Sequence, residues 1–138
     1  MYENIKRGYY NSIQGVTIYM RSGWELEYAC YLDMLIEFGI IESWEYEPKQ
    51  FDFKQWLKKA KSYLPDFKLN FYNGTSEYHE VKGYMDKVSK TKIKRFLKYY
   101  QENYLKIIDL AWFKAYSGSM ALAKEKYYKK NVSFKKIT

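Results

Sequence analysis

Two carboxylates and a lysine define the chemistry this chain can offer. Asp66 follows Pro65, Glu80 stands two residues before Lys82, and a candidate turn at Asn73-Gly74 lies between the two groups. Paired carboxylate oxygens suit Mg²⁺, which binds carboxylate, water and phosphate oxygens. A lysine beside them can orient a nucleophilic water or stabilise charge that develops on a phosphate. This is the minimal set for metal-dependent cleavage of a phosphodiester, provided the three side chains share one face of a hairpin.

Strand alternation decides that condition. Glu80 and Lys82 are two apart and share a face. A strict two-residue turn at Asn73-Gly74 pairs Tyr72 with Thr75 and sets Asp66 opposite Val81, on the other face. A three-residue loop over 73–75 pairs Tyr72 with Ser76 and sets Lys68 opposite Glu80 and Asp66 opposite Lys82. It also gathers Phe67, Leu69, Phe71 and Val81 on the reverse face. Burial fixes register strongly, so the sequence predicts the three-residue loop or a bulge with the same effect. The competing role for Asp66, Glu80 and Lys82 is an exposed strand face held by a cross-strand ion pair.

The elements around the hairpin follow from periodicity. Residues 16–20 read as a short strand. Ser22 opens a helix, and Ser22 with Glu25 fits a capping box. Trp24, Tyr28, Leu32, Leu35 and Ile36 recur at helical spacing up to Gly39. Residues 41–53 look extended, with Pro48 limiting pairing, and 54–62 form a basic connection at the tip of a long hairpin. Strands follow over 63–72 and 77–82. Residues 87–100 form a helix with Val88, Ile93, Phe96, Leu97 and Tyr100 towards the core. A buried strand covers 105–110, and 112–128 is helical with a break at 117–119. The order βαβββαβα predicts an α/β domain with a mixed central sheet flanked by helices.

Bulk properties agree with one domain over 1–138, with 1–14 and 129–138 flexible. The chain is 47% hydrophobic and 21% aromatic, too apolar for disorder. No apolar run is long enough for a bilayer, and the first residues have no apolar signal core. A cytoplasmic protein without a membrane partner is expected. Cys30 is the only cysteine, which excludes an internal disulfide and argues for a small packed residue. The formal charge of +8 favours polyanions. Arg21 and the helical bases Lys87, Lys90, Lys92, Lys94, Arg95 and Lys98 are candidates to hold phosphates; a merely solvated basic face is the alternative. Seventeen tyrosines add stacking surface. His79, the lone histidine, points away from Glu80 and reads as a packed structural residue.

The Pro-Asp, hairpin, Glu-x-Lys order resembles the PD-(D/E)xK nuclease superfamily. With Arg21-Ser22-Gly23-Trp24-Glu25, Trp44-Glu45-Tyr46-Glu47, Tyr63 to Phe67 and Glu80 to Gly83, it resembles the phage-type endonuclease I family of Holliday junction resolvases and related small phage endonucleases, over about 21–109. The resemblance implies a restriction-endonuclease-like fold and a catalytic set of Glu25, Asp66, Glu80 and Lys82. Glu25, Asp66 and Glu80 would bind one or two Mg²⁺ ions, with Mn²⁺ able to substitute, and Glu45 would be a further acidic member. Glu25 remains open between cap and ligand. A homodimer cutting both strands of branched DNA is expected on symmetry grounds. The alternatives are a nicking, restriction-like or recombination nuclease on linear or single-stranded DNA, and a non-catalytic DNA-binding accessory protein.

Overall fold

The strands sort into three sheets, which a computed structural model describes over residues 6–135. β1 (Gly8–Asn11) and β2 (Thr17–Met20) form an antiparallel hairpin, and β9 (Val132–Ser133) pairs with the other edge of β1. β3 (Ser43–Tyr46), β6 (Phe67–Asn70), β7 (Ser76–Val81) and β8 (Leu105–Ile108) form the central sheet in the order β3-β6-β7-β8. Its pairs are antiparallel except β7 with β8, which is parallel and crosses over through α2 (Lys87–Tyr99). β4 (Phe51–Asp52) and β5 (Ser62–Tyr63) make a separate two-stranded ribbon. It extends the β3–β6 hairpin to the basic tip expected at 54–62. With α1 (Gly23–Glu37), α3 (Leu110–Ala115) and α4 (Ser117–Asn131), the chain is one small mixed α/β domain. Among the described residues, no helix is long and apolar enough to cross a membrane.

Helices cover both faces of the central sheet. On one face Tyr28 of α1 meets Phe67 and Trp112 edge-on, at centroid distances of 5.3 and 5.2 Å. On the other, Phe96 of α2 is fully buried against Phe51 at 4.8 Å and Tyr63 at 5.3 Å, with Tyr78 beside them. Burying a phenylalanine of this kind is worth about 1.5–3 kcal/mol. The face that carries Glu80 is therefore a second core as well as a site. Val88 and Leu97, expected to point inward from α2, are half exposed. Phe96 is the one fully buried residue of the contact, and the half-buried Ile93 and Tyr100 pack beside it.

Four further expectations are corrected. The strand over 63–72 is interrupted at Leu64-Pro65-Asp66, where Pro65 offers no N–H to a ladder. The strand at 105–110 stops at Ile108, because Asp109 caps α3 by accepting the Trp112 N–H at 3.0 Å. The helical break falls at Tyr116, and 117–119 form the first turn of α4. The ends are only partly as expected. Residues 1–5 and 136–138 lie outside the described residues, but Gly8–Asn11 is a strand and α4 and β9 carry ordered structure to Ser133. Tyr10 anchors this region through its hydroxyl, 2.7 Å from Asp33 Oδ2.

Candidate active site

The β6–β7 turn sets the register of the site. Phe71 N–H donates to the Thr75 carbonyl at 2.9 Å, leaving a three-residue loop of Tyr72, Asn73 and Gly74. Gly74 lies at φ +87, the left-handed position such loops assign to glycine. The loop has the expected length but starts one residue earlier, so every pairing shifts by two along the partner strand. Phe67 pairs with His79, which makes Asp66 and Glu80 the next pair outward. A shift of two keeps all faces unchanged. Asp66 therefore meets Glu80 rather than Lys82, and the three side chains still share one face.

Each carboxylate is held by one oxygen. Asp66 is 6% exposed, and its Oδ2 accepts the Val81 N–H at 2.8 Å. Glu80 is 7% exposed, and its Oε1 accepts the Tyr63 hydroxyl at 2.7 Å. Glu25 stands in the first turn of α1, where Ser22 Oγ caps its N–H at 3.2 Å. Its carboxylate does not complete the reciprocal capping box; Oε1 accepts the Arg21 N–H at 3.4 Å and the Tyr46 hydroxyl. The second oxygens of Asp66, Glu80 and Glu25 take no close hydrogen bond from the described residues, although the Asp66 N–H lies near enough to Glu80 to lower it. No buried side-chain oxygen lacks a partner either, so these oxygens open onto the cleft. The cleft, about 300 Å³, is lined by Arg21, Glu25, Asp66, Glu80 and Lys82, and from α2 by Ser89 and Lys92.

The electrostatics of the pair are unfavourable for two bare anions. Burial, then the charges of Glu80 and Glu25, raise the Asp66 carboxyl well above its ordinary range. The Val81 N–H and Lys82 oppose this only in part. Burial also raises Glu80, against the Tyr63 hydroxyl and Lys82. Like-charged carboxylates in a dry setting favour a shared proton or another cation. Lys82, just beyond β7, is half buried and close enough to lower both acids. It forms no ion pair with a described carboxylate.

Family models, curated proteins and solved structures give no match to this chain. What the cleft can do is therefore a matter of its own geometry. Among the described residues, no group of three or more His, Cys, Asp or Glu side chains is gathered closely enough to hold a metal unaided. Glu25 shares the cleft with the Asp66–Glu80 pair without closing such a cluster. Glu45 lies outside it, accepting from Asn70 Nδ2 at 3.0 Å on the exposed sheet edge. Arg21 reaches the cleft but pairs with Glu47. Of the α2 bases, Lys92 lines the cleft, while Lys87, Lys90, Lys94 and Lys98 are exposed. Arg95 is turned onto the Lys59 and Ala60 carbonyls at 2.5 and 2.8 Å, and is committed to structure.

His79 is packed, as its alternation implies. Tyr28 and Glu77 flank its two ring nitrogens at 2.5 and 2.8 Å, and burial lowers its pKa. Cys30 is buried, and burial pushes its thiol up to about 12. Sequence reasoning missed Tyr46 and Tyr63, whose hydroxyls position Glu25 and Glu80. It also missed Glu47, a non-glycine residue at φ +46 whose N–H donates to the Asp66 carbonyl at 2.7 Å. Strain of this kind persists where surroundings over-determine the backbone. Tyrosine and glutamate are too common in this chain for spacing alone to mark these three.

Proposed function

We propose that the protein is a divalent-metal-dependent DNA endonuclease of restriction-endonuclease-like fold, acting on branched DNA as a homodimer. One observation carries the reading: Asp66, just before β6, meets Glu80 of β7, each with one oxygen fixed and one open, beside Lys82 and Lys92. The donor set fits Mg²⁺ without a third acid, because that ion commonly uses one or two carboxylates and fills its shell with water and phosphate oxygens. Asp66 and Glu80 would hold it, with Glu25 adjacent. When bound, a divalent ion supplies activation of water and charge stabilisation at the phosphate. Tyr63 and the Val81 N–H keep the two carboxylates oriented. Lys82 places a positive charge beside the position of an attacking water, and Lys92 offers a contact to the flanking phosphate.

The restriction-endonuclease-like fold and the preference for branched DNA rest on resemblance, and the homodimer on symmetry, so substrate choice is measured directly. A fixed four-way junction, a matched duplex and a single strand are incubated with Mg²⁺ or Mn²⁺ and either wild type or Asp66→Asn. Metal-dependent cleavage of the junction that Asp66→Asn abolishes is the expected outcome. Cleavage of duplex or single strand in preference to the junction makes the protein a nicking, restriction-like or recombination nuclease with the same site. Cleavage of none of the three with either metal overturns the enzymatic reading and leaves a DNA-binding accessory protein.

A further inference from the structure

The positive charge of this chain is concentrated in two elements that pack on each other. Residues 49–61 hold five lysines and one acid, Asp52, and α2 holds five lysines, Arg95 and no acid. Eleven basic residues against one acid give +10, whereas the whole chain carries +8, so the remainder is net −2. The two elements form one body. Phe96 packs on Phe51 and Tyr63, Arg95 binds the Lys59 and Ala60 carbonyls, and the Tyr100 hydroxyl donates to the Asp52 carbonyl at 2.5 Å.

Aromatic rings stand out of this charged body. Trp56 at the hairpin tip is 75% exposed, whereas Trp24, Trp44 and Trp112 are buried. The Lys54 ammonium lies 5.9 Å from the Trp56 ring and 5.7 Å from that of Tyr99, so it stands between two exposed aromatic rings. Lys98 lies 5.3 Å from Tyr99 on the same side. A lone exposed tryptophan is ordinary on a protein surface; its setting among lysines and near Tyr99 is what points to a ligand. A second copy of the chain is a poor cover, since two surfaces of +10 repel. Exposed rings among lysines match single-stranded nucleic acid, whose bases stack on aromatic faces while its phosphates meet the charges.

We infer that Trp56, Tyr99 and the lysines around them form a stacking platform for unpaired bases of a bound nucleic acid. The inference deepens the nuclease reading above and rests on it for its place in the reaction. α2 links the two regions: Lys92 lines the cleft and Tyr99 adjoins the platform. Seven helical residues span about 10 Å, roughly three base steps at 3.4 Å each. A strand following α2 with its bases stacked would thus present bases to Tyr99 about three nucleotides from a phosphate at Lys92. The substrate class is DNA with unpaired nucleotides close to the cut.

Binding is measured without cleavage, in EDTA, by titrating labelled oligo-dT and a matched duplex with wild type, Trp56→Ala, Trp56→Phe and Lys58→Ala. Trp56→Ala should weaken oligo-dT binding about tenfold, the size of one lost stack. Trp56→Phe should restore most of it, and the salt dependence should be unchanged in both. Lys58→Ala should lower the salt slope by about 0.7. Tryptophan emission should fall as oligo-dT is added, because Trp56 is the ring that solvent reaches. Equal affinity of wild type and Trp56→Ala for oligo-dT overturns the inference. Displacement of oligo-dT by polyglutamate at equal charge also overturns it, in favour of an acidic protein partner. Concentration-dependent dimerisation lost in Trp56→Ala assigns the ring to a second copy and does the same. If the platform binds as described but Asp66-dependent cleavage is absent, only the nuclease reading fails. If cleavage is present and Trp56→Ala changes nothing, only the platform fails.

Discussion

Replacing Asp66 by Asn should make the protein more stable in EDTA and less responsive to Mg²⁺, so the two melting curves cross. The substitution is nearly isosteric, and an amide oxygen can still accept the Val81 N–H that Oδ2 accepts now at 2.8 Å. What disappears is a buried charge facing Glu80 and Glu25. Relieving such a site is worth about 0.5–2 kcal/mol, and at about 4 °C per kcal/mol for a domain of this size the midpoint should rise by about 2–8 °C. The gain depends on pH with a fixed sign. The folded-state pKa of Asp66 is raised, so the wild-type folded protein takes up protons more readily than the unfolded chain. That relief is present at low pH and is lost as pH rises through the folded value, so the advantage of the variant should widen from acid towards neutral pH. Mg²⁺ at ten times its dissociation constant should then stabilise wild type by about 1.4 kcal/mol, or about 6 °C, and the variant by much less. Differential scanning fluorimetry in EDTA and in Mg²⁺ gives all three quantities. A variant that melts lower than wild type in EDTA would refute the account of the pair as strained. Equal Mg²⁺ shifts in both proteins would refute Asp66 as a ligand.

Three further outcomes are expected. Lys82→Ala should lower cleavage by about 10²–10³-fold, the usual scale for one electrostatic group, while leaving DNA affinity within about twofold; a wild-type rate in single-turnover assays removes Lys82 from the chemistry. Asp33 is fully buried and accepts from Tyr10, Ser12, Ile13 N–H and Trp44 at 2.7–3.0 Å, so Asp33→Ala should cost about 3–5 kcal/mol in denaturant titrations. Phe96→Ala should cost about 3–5 kcal/mol and, by loosening the hairpin from α2, speed proteolysis at Lys58, Lys59 and Lys61; unchanged cleavage there would mean the ribbon holds without Phe96.

The grouping of Asp66, Glu80 and Lys82 was legible because a strand has period two. An apolar reverse face of Phe67, Leu69 and Val81 permits only registers of one parity, and the observed register is one of these. Parity cannot choose between registers two residues apart. Here the left-handed requirement of Gly74 fixes the loop start at Tyr72. The Ser22 cap and the α2 span were legible for a similar local reason, since capping and helical spacing act within a few residues. Long-range features were not. The Asp33 hub collects donors from β1, the turn after it and β3, and nothing in the spacing of those residues announces a common partner. The second core around Phe96 was hidden because its members Phe51, Tyr63 and Tyr78 lie on separate short strands.

The pairing of β1 with β9 has a consequence for how the chain is made. Tyr10 and Val132 are partners in the ladder yet about 120 residues apart. During synthesis the β1–β2 hairpin must wait, one edge bare, until Val132 has left the ribosome. Closing so long a loop is entropically slow to reward, and a bare edge invites pairing with other nascent chains. Tyr9 and Tyr19, whose tilted rings pack at 5.1 Å across β1 and β2, can hold the hairpin together in the interval. Yield at high expression should therefore be limited by what meets that edge before Val132 arrives.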